Sequence, residues 1–199
     1  TCNIIHSILS AAGIRTGLIT TVNAVIGDET KDTGFHVTTP DAVVLQDLLE
    51  QMVDTGMTHC VIEVTSHGLV QHRVSACEFD IAVLTNITHE HLDYHGTLES
   101  YMNAKSLLFD QVGATTSKPE INKLAVLNYD DEQSYSFIKN KLNTHLVDYG
   151  IESQSTVKAT NVSIHEGNTS FDVKIGEDCF PVETVLVGQY NVSNCLAAI

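Results

Sequence analysis

Three short apolar runs, "HCVIEV" (59–64), "FDIAVLTN" (79–86) and "KLAVLN" (123–128), recur along the chain with helical patterns between them. That alternation constrains the fold more than any other feature. A run that is apolar at successive positions must be covered on both faces, which suits an inner strand of a parallel sheet. Between the second and third runs, "LESYMNAKSLLFDQV" (98–112) predicts a helix with Leu98, Tyr101, Met102, Leu108 and Phe109 on its buried face. "DDEQSYSFIKNKL" predicts another helix, and "THLVDYG" a further short strand. The expected class is α/β, a mostly parallel sheet flanked by helices.

Upstream, "TGLITT" (16–21) reads as a short strand, followed by a polar stretch. In "TTPDAVVLQDLLEQMVDTG", Thr39 is the expected N-cap of a helix, Pro40 its first residue and Gly56 its stop. Near residue 155 the period changes. "TVKATNVSIHEGNTSFDVKIGEDCFPVETVLVG" alternates polar and apolar residues, with turns at "HEGN" and "GED". A small antiparallel sheet of about three strands is expected over 155–187. The segment 113–122 reads as a surface loop. At the two ends, "TCNIIHSILSAAG" begins as a helix with no cap before it, and "NVSNCLAAI" stops inside a helical pattern. The 199 residues therefore read as one domain cut at both ends.

Composition narrows the partners. A formal charge of −15 argues against nucleic acid, whose phosphates are bound by Lys and Arg. No apolar run approaches the roughly 20 residues of a membrane span, and no leader pattern opens the chain. Five cysteines at wide spacing, with no CxxC, fit reduced thiols in a cytoplasmic protein. Cys60, inside an apolar run, is an expected core residue.

In open parallel sheets, ligands bind beyond the carboxyl ends of the strands. One run here ends in Glu63-Val64-Thr65-Ser66-His67. Another ends in Thr85-Asn86, followed by His89, Glu90, His91, Asp93 and His95. "HEHLDYH" approaches the HxHxDH run of zinc hydrolases, but Tyr94 interrupts it and no further zinc ligands stand in a recognisable pattern. His89 and His95, taken singly, read as surface or hydrogen-bonding histidines.

Five motifs in order give a different reading: "TTPDAVVLQ", "VIEVTSHGLVQHRV", "FDIAVLTNITHEHLDYHG", "YMNAKSLLF" and "GQYNVSNCLAAI". Together they resemble the central domain of the Mur ligases, nearest the branch that adds the third residue of the peptidoglycan stem peptide. That resemblance implies a P-loop-type α/β domain and an ATP-dependent amide ligase, with UDP-N-acetylmuramoyl-dipeptide and an amino acid, meso-diaminopimelate or lysine, as its other substrates. It implies that Glu63, His91 and a carbamylated Lys105 hold Mg2+. A lysine ammonium is a poor cation ligand, whereas its carbamate is a carboxylate on a long arm. Magnesium prefers oxygen donors, so Glu63 suits the role. The resemblance further assigns Thr38, Thr39, Thr65, Gln71 and Arg73 to the UDP-substrate, and Asn191 to the adenine of ATP. Asn194 could act like Asn191 or cap a helix.

The family's glycine-rich P-loop run does not occur among the twelve glycines. The chain by itself is therefore expected not to ligate. Two alternatives stand beside this reading: another ligase of the superfamily, of the cyanophycin or folylpolyglutamate type, and the zinc hydrolase.

Overall fold

The computed structural model describes residues 1–33, 38–88, 92–114, 118, 121–152 and 154–199. These form two compact units, residues 1–77 with 103–107, and residues 78–102 with 108–199.

The first unit opens with α1 (Cys2–Ala11), in which Ile4, Ile5 and Leu9 are half-buried while Ile8 and Ala12 are exposed. Strands β1 (Thr16–Ile19), β2 (Asn23–Ile26) and β3 (Glu29–Asp32) follow, then α2 (Ala42–Asp54), β4 (His59–Ile62) and α3 (Ser66–Val70). The sheet order is β3-β2-β1-β4, and only β1 and β4 run parallel. The stretch read as merely polar is thus a hairpin. Ile26 pairs with Glu29 across the two residues Gly27 and Asp28, with Gly27 at φ +60°. A Gly-Asp pair directly after the β-branched residues Val25 and Ile26 carries that signal.

Three expectations change here. Asp41, not Thr39, is the N-cap of α2. Thr39 is 1% exposed and its hydroxyl is committed to the segment after β4, so the helix starts two residues later. Along α2, Leu45, Leu48 and Met52 are buried at helical spacing. Strand β4 is half-buried rather than enclosed, because it is the last strand of its sheet. Cys60 is accordingly half-buried instead of a core residue.

The second unit contains β5 (Ile81–Leu84), α4 (Leu92–His95), most of α5 (Leu98–Ala114), β6 (Leu124–Asn128), α6 (Glu132–Lys139), β7 (His145–Gly150), β8 (Val157–His165), β9 (Asn168–Ile175), β10 (Asp178–Thr184) and α7 (Gln189–Leu196). Its six-stranded sheet has the order β10-β9-β8-β7-β6-β5. Strands β5 to β8 are parallel neighbours; β8 to β10 are antiparallel. The expected meander is present, with its turns at Gly167 (φ +79°) and Gly176 (φ +59°), and it continues the parallel sheet instead of standing apart.

A full-length parallel neighbour needs a return of a dozen or more residues. The segment 151–156 suffices because β8 pairs only with the last two residues of β7, Tyr149↔Val157 and Gly150↔Lys158. Carboxylates pin that segment. Asp130 accepts from Ile151 N, and Asp148 accepts from Thr156 N and Oγ1. The core packs Tyr101, Met102, Phe109 and Val112 of α5 against Leu84, Leu127 and Ile138, with Leu98 and Leu108 at its margin, as the helical spacing predicts. Half of the expected loop at 113–122 lies outside the described residues; its first two residues finish α5.

Candidate functional site

Strands β1 and β4 run parallel and end side by side. Glu63 N donates to Ile19 O at 2.8 Å, extending the ladder by one rung. Beyond that rung the chain carries a set of threonines. Thr21 donates to Glu63 Oε2 twice, from its backbone N and from its Oγ1, each at 3.1 Å. Thr21 Oγ1 also lies 2.9 Å from Thr38 Oγ1. Thr33, just after β3, donates to the carbonyls of Thr20 and Thr21 at 3.3 and 3.0 Å. The hairpin therefore props the backbone that holds Glu63.

A second knot lies behind the first. Thr39 Oγ1 donates to Glu63 O at 3.1 Å and accepts from Thr65 N at 2.9 Å. Its Oγ1 stands 3.2 Å from that of Thr65. Thr65 is the N-cap of α3 and accepts from Gly68 N at 3.0 Å. Helix α3 has five residues and ends in a reversal. His72, at φ +57°, donates to Leu69 O, and Arg73 N donates to Gly68 O. Those two bonds make a Schellman turn with Gln71 as C-cap. The reversal turns Arg73 back, so that Nη1 donates to Thr39 O at 2.8 Å and Nε stands 3.5 Å from Asp41. Arg73 is largely covered and Asp41 is exposed.

Of the residues singled out from sequence, Glu63, Thr38, Thr39, Thr65 and Arg73 thus share one hydrogen-bonded constellation at the carboxyl ends of two parallel strands. Gln71 is exposed at the end of α3. Lys105 is half-buried, in the part of α5 that belongs to the same unit. His91 lies outside the described residues, with His89 and Glu90. His95 stacks on Tyr101, with ring centroids 5.1 Å apart. Asn191 lies on α7 of the second unit and donates to Val187 O at 3.0 Å.

Sequence reading missed Thr21 and Thr33; their signal was a cluster of hydroxyl residues around a strand end. It also missed two residues that hold the segment after β5. Asn128 donates to Thr85 O and Asp131 accepts from Ile87 N, both at 2.9 Å.

A hard divalent cation would find an oxygen donor in Glu63, oriented by two bonds that both fall on one of its oxygens. Among the described residues no group of three or more His, Cys, Asp or Glu side chains stands ready for a metal.

The whole chain, residues 1–199, matches the model of the Mur ligase middle domain. The chain belongs to the Mur ligase family. That membership displaces the zinc-hydrolase reading. Among its relatives is the UDP-N-acetylmuramoyl-L-alanyl-D-glutamate–2,6-diaminopimelate ligase of Bacillus cereus, 42% identical over 100% of this chain and 40% of that protein. The ligase of the same name from Listeria monocytogenes is 41% identical over 99% of this chain and 39% of its own length. The Mur ligase chain described here therefore spans about two-fifths of the relatives it matches. A solved structure of a ligase of that name superposes with a TM-score of 0.83 at 29% identity, covering 99% of this chain and 39% of the other. MurF from Thermotoga maritima, solved in complex with ADP, shares the fold at a TM-score of 0.67 and 20% identity, over 99% of this chain and 40% of that one. No helix among the described residues is long and apolar enough to cross a membrane.

Proposed function

We propose that this Mur ligase domain serves a cytoplasmic ligase that joins 2,6-diaminopimelate to UDP-N-acetylmuramoyl-L-alanyl-D-glutamate at the expense of ATP. The observation that carries this is the 42% identity along the whole chain to ligases of that name. In the reaction the acceptor carboxylate takes the γ-phosphoryl group of ATP, giving an acyl phosphate and ADP. The amine of the incoming amino acid then attacks the acyl carbon. Phosphate leaves, the amine loses a proton, and an amide remains.

Bound magnesium would neutralise and align the phosphate and carboxylate charge that such a transfer brings together. Glu63, His91 and carbamylated Lys105 are the residues we assign to it. Thr38, Thr65, Gln71 and Arg73 are assigned to the UDP-substrate. Thr39 backs them from below, since its buried hydroxyl is already used within the protein. Asn191 is assigned to the adenine end of ATP.

The test is ADP release and product formation by the full-length protein carrying this chain. Turnover should require the UDP-dipeptide and 2,6-diaminopimelate, with lysine a poor replacement; turnover with lysine alone would reject the assigned amino acid. Lys105→Ala should lose most of that turnover and regain part of it when a short carboxylic acid is added. An unaffected rate would reject the carbamate.

A further inference from the structure

Thr21 has no part in the assignments above, yet it is the residue that joins them. Its hydroxyl faces two acceptors, Glu63 Oε2 at 3.1 Å and Thr38 Oγ1 at 2.9 Å. A hydroxyl has one proton and can serve one of these at a time. Its backbone N–H stays on Glu63 Oε2 in either case, and Thr33 holds its carbonyl, so the hydroxyl turns without moving the main chain.

We propose that Thr21 is a positioning residue whose hydroxyl couples a cation at Glu63 to anionic substrate at Thr38. With the Glu63 carboxylate uncompensated, the charge-assisted bond wins and Thr21 donates to Glu63. A cation on that carboxylate weakens it as an acceptor, and the Thr21 hydroxyl turns to Thr38. Thr38, now accepting a hydrogen bond, becomes a stronger donor, because successive hydrogen bonds polarise one another. The beneficiary is an acceptor oxygen of the substrate. Coupling of this kind is reciprocal, so substrate at Thr38 also tightens the cation at Glu63.

The inference rests on the assignment of Glu63 to the metal and Thr38 to the UDP-substrate, and its test separates the two. Binding of UDP-N-acetylmuramoyl-L-alanyl-D-glutamate to the full-length protein is measured by calorimetry without nucleotide, with and without millimolar Mg2+. In the wild type Mg2+ tightens binding. Thr21→Val should bind as the wild type does without Mg2+ and lose about fivefold of the tightening with it. Thr21→Ser should keep the full effect. A residue of merely structural value would weaken binding in both conditions and would not be rescued by Ser. Should Thr21→Val fold poorly, Thr21→Ala makes the same comparison, since the backbone bond to Glu63 is retained. Glu63→Gln should lose the Mg2+ effect. If it does not, the metal assignment falls and the coupling with it. If Glu63→Gln loses the effect and Thr21→Val keeps it, the coupling alone is overturned.

Discussion

A methyl group placed on Gly68 would stand 2.9 Å from Cβ of Thr39 and 3.0 Å from both its Cγ2 and Oγ1. That approach allows α3 to lie directly on the buried threonine, which in turn ties Glu63 O and Thr65 N together. Gly68→Ala forces Thr39 aside. Overpacking of this kind costs about 1–3 kcal/mol, so calorimetry should show a lowered Tm, and affinity for the UDP-substrate should fall with it. An unchanged Tm would mean that Thr39 can yield freely.

Arg73 bridges the two ends of this knot, from the α3 reversal to the Thr39 carbonyl. Arg73→Ala should weaken the UDP-substrate about tenfold or more, the scale of one lost charge-assisted bond, and leave the KM for ATP nearly untouched. Equal effects on both substrates would reject the assignment. Asp41→Ala is the control for that affinity; its contact with Arg73 is long and Asp41 is exposed, so its effect on the UDP-substrate should be small.

His72 occupies the left-handed position of the Schellman turn at φ +57°. A side chain there costs about 1 kcal/mol relative to glycine. His72→Gly should hold or raise Tm, whereas His72→Val should lower it. The opposite order in a thermal melt would show that the imidazole contributes more than the backbone strain removes.

At the other end of β5, Asp80 meets Lys118 at 2.8 Å and Lys123 at 3.1 Å. Partial burial alone would raise its pKa, but the hydrogen bonds from the two lysines outweigh this and hold the carboxyl below its usual range. A depressed folded pKa contributes stability that is full above the unfolded value, about 3.9, and is lost as pH falls through the folded one. Asp80→Asn should therefore lower stability by about 1 kcal/mol near neutrality and flatten the acid limb of a stability–pH curve. A parallel acid limb in the variant would place the acid sensitivity elsewhere.

The cysteines differ in reach. Burial, with a smaller push from Cys77, raises the Cys60 thiol to about 12. Burial also raises Cys77 and Cys195, while Cys179 is exposed on β10. The thiolate is the reactive form. Native protein treated briefly with iodoacetamide at pH 8 should carry the label first on Cys179, as read by peptide mass spectrometry; earlier modification of Cys60 would contradict the packing of β4.

What could be read in advance divides along physical lines. The face of α5 was legible because burial imposes a helical period on residue type. The runs at 81–84 and 124–128 were legible as strands because short apolar runs stand between helical patterns. Strand β5, expected to be covered on both faces, is the last strand of its sheet and leaves Ile81 exposed. The turns at Gly167 and Gly176 were legible because positive φ selects glycine. The β2–β3 hairpin was obscured because its outer strand, Glu29–Asp32, is mostly exposed and carries no apolar alternation. Thr39 looked like a cap because Thr-Pro before an apolar run is a common helix start. Its real partners are Glu63 and Thr65, whose approach only the β1–β4 pairing creates. Glu63, Thr65 and Arg73 could be named from motifs, but the hydroxyl of Thr21 between Glu63 and Thr38 could not. A bond between residues 42 positions apart leaves no periodic trace.

The seam between β7 and β8 has two rungs, while β8 and β9 run together for most of their length. A sheet joined so narrowly has only two rungs of its ladder to keep the halves in line. Helix α7 packs on β7, β8 and β9, and so lies across that joint as a splint. The packing of one helix on both sides of the seam thus supplies the stiffness that the two-rung ladder lacks.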